Sequence, residues 1–442
     1  MDFSLERPLP LNGLLVGTAS AATQIEGGDR NNNWWQWAQV PGNVADGSSP
    51  ERANDHWNRW REDNALMADL GYPIARIGLE WSRIEPAPGE YSTQALDRYR
   101  EEIGDLRDKG IRPLVTLHHF SNPLWLQQMG EWTNPATVNA FVKYVRVAVS
   151  ALRDLVSEWV TINEPNVYAT QAHLFREGPP GAVSPRNLRL VLRHMAVGHL
   201  FAYRAIHDLQ PEATVTIAHH LREFAPKHPG NVVHRAFTRF DRWAFQDALA
   251  GAFGQGRFPA LLGSSPVPVG RYVDVIGLNY YSRTAVTGPS DGTFDDVPLS
   301  DLGWEIYPEG LVNTARTLHE QLGVPVWITE NGTADNGDGD HLESFRPRFI
   351  AEHLAAILRS DVPIERYYHW CFVDNWEWSE GEVPRFGLVH NDYETQIRTV
   401  KPSARMLSEI VAEDGLTPAI VATYAAGQQY RHTAPARDHT AT

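Results

Sequence analysis

The chain has 442 residues, 42% of them hydrophobic and 21% charged, the balance of a globular enzyme and not of a disordered or fibrous chain. Its 39 Lys and Arg against 54 Asp and Glu leave a formal charge of −15, spread along the sequence, which repels a polyanion and argues against nucleic acid as a partner. The single cysteine, Cys371, excludes an intrachain disulfide; with no basic-apolar leader and no apolar run of bilayer length, the expectation is a cytoplasmic protein with no membrane partner.

Short apolar, β-rich runs recur along the chain at residues 14–20, 74–81, 112–119, 158–164, 214–221, 273–281, 325–330 and 366–374. Amphipathic helical stretches lie between them, among them 55–70 with Asp55 as N-cap and Gly71 as its stop, 134–156 and 186–209. This alternation predicts an α/β fold, a single (β/α)8 TIM barrel with extended βα loops. The segments 31–54 and 287–304, rich in Gly, Pro, Asn and Asp, are read as substrate loops. With no compositional shift to mark a linker, residues 1–424 are expected to form one catalytic domain and 425–442 a flexible tail. A doubly wound sheet would need a glycine-rich phosphate loop after the first strand, and Gly17-Thr18-Ala19-Ser20 is too poor in glycine for that.

Two carboxylates stand at C-terminal strand ends, Glu164 in Thr161-Ile162-Asn163-Glu164-Pro165 and Glu330 in Trp327-Ile328-Thr329-Glu330-Asn331-Gly332. One strand-end glutamate reads equally well as a surface ion pair. Two of them, on the fourth and seventh strands of a barrel, face each other across its mouth. That arrangement suits glycoside hydrolysis, whose retaining form needs a nucleophile and a protonated acid about 5 to 5.5 Å apart. The histidine pairs His118-His119 and His219-His220 do not make a metal site, because adjacent strand residues point to opposite faces. No metal and no cofactor is expected; His119 is read as a sugar contact, and His118, His219 and His220 as ordinary polar or core residues.

The Asn-Glu-Pro and Thr-Glu-Asn-Gly segments resemble the motifs of glycoside hydrolase family 1, the β-glucosidase family. The likeness runs from Gly17-Thr18-Ala19-Ser20 through Gln24-Ile25-Glu26-Gly27 to Lys401-Pro402-Ser403-Ala404. It implies a retaining β-glycosidase with Glu164 as acid/base and Glu330 as nucleophile, acting on terminal non-reducing β-D-glycosyl residues. Small-molecule β-glycosides or oligosaccharides are then the partners, glucosides first, with galactosides and fucosides also accepted. By the same resemblance Arg76 and Tyr281 hold the nucleophile, with Asn279 behind, and Asn163 takes the sugar 2-hydroxyl. Gln24, His119, Glu377 and Trp378 grip the glycone, while Phe120, Trp370 and Phe386 wall it. Trp304 is the aglycone platform. Glu330 is expected to be ionised beside Arg76, and Glu164 to carry the proton. Glu164 is not the Gln of plant thioglucosidases, and a carboxylate at 377 would repel the 6-phosphate of phospho-glycosides. Two alternatives stay open, a transglycosylating member of the same family and a non-catalytic sugar-binding barrel.

Overall fold

The computed structural model describes residues 3–433. Eight parallel strands close into a barrel: β1 Leu15–Ala19, β2 Ile74–Gly78, β3 Arg112–Thr116, β4 Glu158–Asn163, β5 Thr214–Pro226, β6 Ile276–Val286, β7 Val326–Asn331 and β8 Ile364–Trp370. The ring is completed where β8 pairs with β1, from Leu15 opposite Arg366 to Ala19 opposite Trp370. Each strand is followed by an outer helix: His56–Asp69, Thr93–Asp108, Ala136–Leu152, Pro185–Leu209, Val232–Arg242, Pro308–Leu322, Arg346–Arg359 and Pro402–Ala412. The barrel expected from the alternation is therefore present.

The strands are buried on both faces, which is why they read as apolar runs. Their two-residue period sends Ala19, Ile74, Leu114, Val160, Ala218, Trp327 and Tyr368 to the barrel interior. Ala75, Val115, Trp159, Val215, Ile276 and Val326 face outward to the helices in the larger core. Gly17 is needed for closure, since a Cβ there would lie 2.0 Å from the Ile74 carbonyl oxygen.

Several features differ from the sequence expectation. Strands β5 and β6 run past the barrel rim, paired as far as Pro226 opposite Val286, with Asp291–Gly292 added antiparallel to β6. Arg222, Glu223 and Arg283 lie in that extension, and their charges hid it from a search for apolar runs. Asp55 occupies the N-cap position but is left-handed (φ 50°) and makes no capping bond; its carboxylate accepts instead from Asn58 Nδ2 at 2.6 Å. The 31–54 loop contains a helix, Asn33–Ala38, capped by Asn32 through Trp35 N at 2.8 Å.

The tail expected from residue 425 begins as packed chain. Ala425 is buried, Tyr430 Oη donates to Glu352 at 2.7 Å, and the Arg431 carbonyl accepts from Leu299 N at 2.7 Å. The rest of that expectation, from 434 on, lies outside the described residues. Among the described residues, no helix is long and apolar enough to cross a membrane.

Beneath the site, Lys401 Nζ meets Asp374 Oδ1 at 2.9 Å with both side chains fully buried. Against the upward push of burial, the Lys401 ammonium and the His390 ring hold the Asp374 carboxyl far below its usual range. A depressed carboxyl contributes stability that is full above its unfolded value and is lost progressively as pH falls from there through the folded one. This pair's contribution therefore starts to fade in the ordinary carboxylate range and is gone only at very low pH. Lys401→Met leaves a buried charge short of its main partner and is expected to destabilise the protein by about 3 kcal/mol or more, read from urea unfolding at pH 7. An unchanged midpoint would show that His390 and Arg385 suffice.

Candidate active site

The floor of the barrel mouth is a hydrogen-bonded chain of residues from five strands. Arg76, on β2, donates from Nη1 to Glu330 Oε1 at 2.5 Å, from Nη2 to Asn163 Oδ1 at 2.7 Å and from Nε to Thr116 Oγ1 at 2.9 Å. Tyr281 Oη donates to Glu330 Oε2 at 2.7 Å, so each nucleophile-candidate oxygen has its own donor. Asn279 Nδ2, on β6, lies 3.0 Å from Asn163 Oδ1 and 2.9 Å from Glu164 Oε1. Thr329 Oγ1 in turn donates to Asn279 Oδ1 at 2.7 Å and fixes the amide's orientation.

Local chain geometry explains how the motifs deliver these groups. Glu164 is left-handed (φ 43°) and precedes the helix Pro165–Thr170, whose first residue is the proline of Asn-Glu-Pro. Phe120 (φ 67°) and Trp378 (φ 54°) are left-handed too. Such residues cost on the order of 1–3 kcal/mol each and persist where the surroundings over-determine them. The Gly of Thr-Glu-Asn-Gly is required because a Cβ on Gly332 would fall 1.9 Å from the Trp370 carbonyl oxygen.

Both carboxylates are buried. Burial pushes the Glu330 carboxyl up, to about 7; Arg76 and Tyr281 pull it down, and the Glu164 charge adds to the rise. Against its own burial, Glu164 is drawn below its ordinary value by His220, Asn279 and Arg76. In the free protein the imbalance thus runs opposite to the protonation expected from the motifs. The physical reason is His220, whose Nδ1 lies 3.0 Å from Glu164 Oε1.

On the glycone side, Gln24 Nε2 is held by Asn375 Oδ1 (3.1 Å), the Trp376 carbonyl (2.9 Å) and Glu377 Oε2 (3.2 Å). Trp370 Nε1 donates to Glu377 Oε1 at 3.2 Å. Asn163 Nδ2 occupies His119 Nε2 at 3.0 Å, which makes His119 Nδ1 the protonated nitrogen. Gln24 Oε1 and His119 Nδ1 are buried with no protein partner, an acceptor and a donor of the kind that sugar hydroxyls satisfy. The His119 ring stacks between Trp370 (5.8 Å) and Trp378 (5.9 Å), with Phe120 5.2 Å from Trp378. Burial, the neighbouring Glu330 charge and Asp374 raise Glu377 to about 8, against its bonds to Trp370 and Gln24.

On the other side, Trp304, 39% exposed, packs at 5.7 Å from Tyr281 and 6.1 Å from Phe386. It borders a cavity of about 240 Å³ with His220, Arg222, Tyr281, Asp291 and Glu305. Every residue expected at the site from the motifs is thus gathered around the barrel mouth. His220 and Arg222 were missed. The one available signal was that one of two adjacent histidines at the C-terminal end of a barrel strand must face inward. His118 and His219 do face away, packing on Trp132 and Phe253.

The sequence model of Glycosyl hydrolase family 1 matches residues 7–416. The chain belongs to glycosyl hydrolase family 1. It is a glycoside hydrolase, 31% identical over 439 residues to "Beta-glucosidase A" of Thermotoga maritima, covering 91% of this chain and 98% of that one. It is 29% identical over 503 residues to a "Beta-galactosidase" of Pyrococcus woesei, with 92% and 98% covered. Among solved family 1 structures, the Thermotoga maritima β-glucosidase in complex with glucoimidazole superposes with a TM-score of 0.85 at 30% identity, covering 92% of this chain and 99% of that one. A β-glycosidase from Pyrococcus horikoshii gives a TM-score of 0.86 at 30% identity, covering 94% and 98%.

Proposed function

We propose that this family 1 protein is a cytoplasmic retaining β-glycosidase, with residues 1–424 as its catalytic unit and β-glucosides as first substrates. The observation that carries this reading is the unequal treatment of two buried carboxylates. Glu330 has a cation and a phenol on its two oxygens, whereas Glu164, among the described residues, has donors on Oε1 alone. Glu330 attacks the anomeric carbon as Glu164 protonates the departing oxygen; the ionised Glu164 then takes a proton from the water that hydrolyses the glycosyl-enzyme. The two carboxyls titrate as a pair; in the free protein the balance lies towards a proton on Glu330, and this reading places the shared proton on Glu164 once a glycoside is seated. Asn163, next in the chain to Glu164 and held by Arg76, Asn279 and His119, is the residue assigned to the 2-hydroxyl, a bond that strengthens as charge develops.

Relatives with glucosidase and galactosidase names agree with a glycone pocket built on Gln24 and Glu377, and glucose is preferred here. The test is NMR of the sugar first released from nitrophenyl β-glucoside. The β anomer is expected, and α anomer appearing first would exclude double displacement. Rates on nitrophenyl β-glucoside, β-galactoside and β-fucoside rank the glycones. Trp304→Ala is expected to raise KM for nitrophenyl glucosides by about tenfold, with little effect on an alkyl glucoside. Equal losses on both would move the aglycone platform elsewhere.

A further inference from the structure

We propose that His220, held as an Nδ1–H donor by the Arg222 guanidinium, is a positioning residue that occupies Glu164 Oε1 and leaves Oε2 as the oxygen that delivers and recovers the proton. This rests on the reading of Glu164 as acid/base.

Arg222 Nε lies 3.3 Å from His220 Nε2. A guanidinium only donates, so Nε2 presents its lone pair and the ring proton sits on Nδ1, 3.0 Å from Glu164 Oε1. Asn279 Nδ2 donates to the same oxygen at 2.9 Å. With two donors on Oε1, a proton on the carboxyl is stable only at Oε2. In the first step the Oε2–H proton passes to the glycosidic oxygen as the C–O bond pair leaves with it; in the second, Oε2 takes a proton from the attacking water.

The backbone of His220 is pinned as well, by Asn166 Nδ2 on its carbonyl at 2.7 Å. Its ring stacks on Tyr281 at 5.8 Å and 18°, so the donor on Glu164 and the donor on Glu330 form one packed unit. The remaining charged groups around His220 are Arg222 on its own strand, Asp291, and Arg283, which is bound to Glu305; Arg76 acts on Glu164 from β2. Phe245 closes the outer edge of the ring at 6.1 Å.

A donor on the carboxylate favours its ionised form, so removing it raises the Glu164 titration. The experiment is the pH dependence of kcat/KM on nitrophenyl β-glucoside for wild type, His220→Phe, His220→Gln and Glu164→Ala. The Phe variant is expected to move the alkaline limb up by about one pH unit. It is also expected to lose about tenfold or more in kcat on dinitrophenyl β-glucoside, where the base step limits. Gln, with an amide donor, is expected to return the limb towards wild type. A limb unmoved by Phe, or equally displaced by Gln, overturns the proposal. If Glu164→Ala itself keeps the alkaline limb, it is the acid/base reading that has failed. Independently of any variant's folding, 15N NMR of histidine-labelled wild type is expected to show His220 with Nε2 unprotonated. A protonated Nε2 also overturns the proposal.

Discussion

Glu330→Ala is expected to lower kcat on nitrophenyl β-glucoside by about 10⁴-fold or more, because it removes the carboxylate proposed to attack the anomeric carbon. KM should change far less, since Gln24, Glu377 and the aromatic wall are untouched. The variant leaves the Arg76 guanidinium and the Tyr281 phenol aimed at the space of the lost carboxylate, where they sat 2.5 and 2.7 Å from its oxygens. A small anion fits that space and meets a ready cation. Azide should therefore restore turnover, and the product should be the α-glycosyl azide, since one displacement inverts where two retain. A β-glycosyl azide, or no azide product at all, would remove Glu330 from the nucleophile role.

Arg76→Met is expected to cut kcat/KM at pH 7 by about 100-fold or more, through protonation as well as geometry. Burial already lifts Glu330 to about 7 while Arg76 pulls it down, so loss of the cation raises it further and the acid limb of the pH profile should move up. The stability sign follows. A carboxyl whose folded value lies above its unfolded one loses stability as pH rises between the two, so the variant's deficit in urea unfolding should be larger at pH 8 than at pH 5. Arg76→Lys keeps a charge but not the fork that reaches Glu330, Asn163 and Thr116 together, and should fall between Met and wild type. If the acid limb of the Met variant stays in place, the ion pair is structural and does not set the nucleophile's charge.

The fold and the two carboxylates were legible in the chain because the signals are local. Strands buried on both faces leave continuous apolar runs, and a glutamate directly after such a run stands at the active end of a barrel. Gln24, His119, Glu377 and Trp378 were legible only through their motifs; no periodicity distinguishes them from core residues. The β5–β6 extension was not legible, because Arg222, Glu223 and Arg283 are charged and the strands continue above the rim by pairing with each other. Asp55 shows the same limit at a helix end. Its residue type and place are those of a cap, yet its left-handed backbone turns the carboxylate to Asn58.

Taken alone, the amino-acid sequence determined the alternation that builds the barrel, the strand ends on which Glu164 and Glu330 stand, and the family to which the chain belongs. Barrel closure decided what those carboxylates meet. His220 is 56 positions from Glu164, and Arg76 is 254 from Glu330. Neither pairing follows from spacing, because it depends on which inward-facing residues of separate strands reach the same height once the ring is shut. The tertiary structure therefore set the site's electrostatics, since a buried carboxyl's protonation depends on donors and charges within a few ångströms, wherever in the chain they lie.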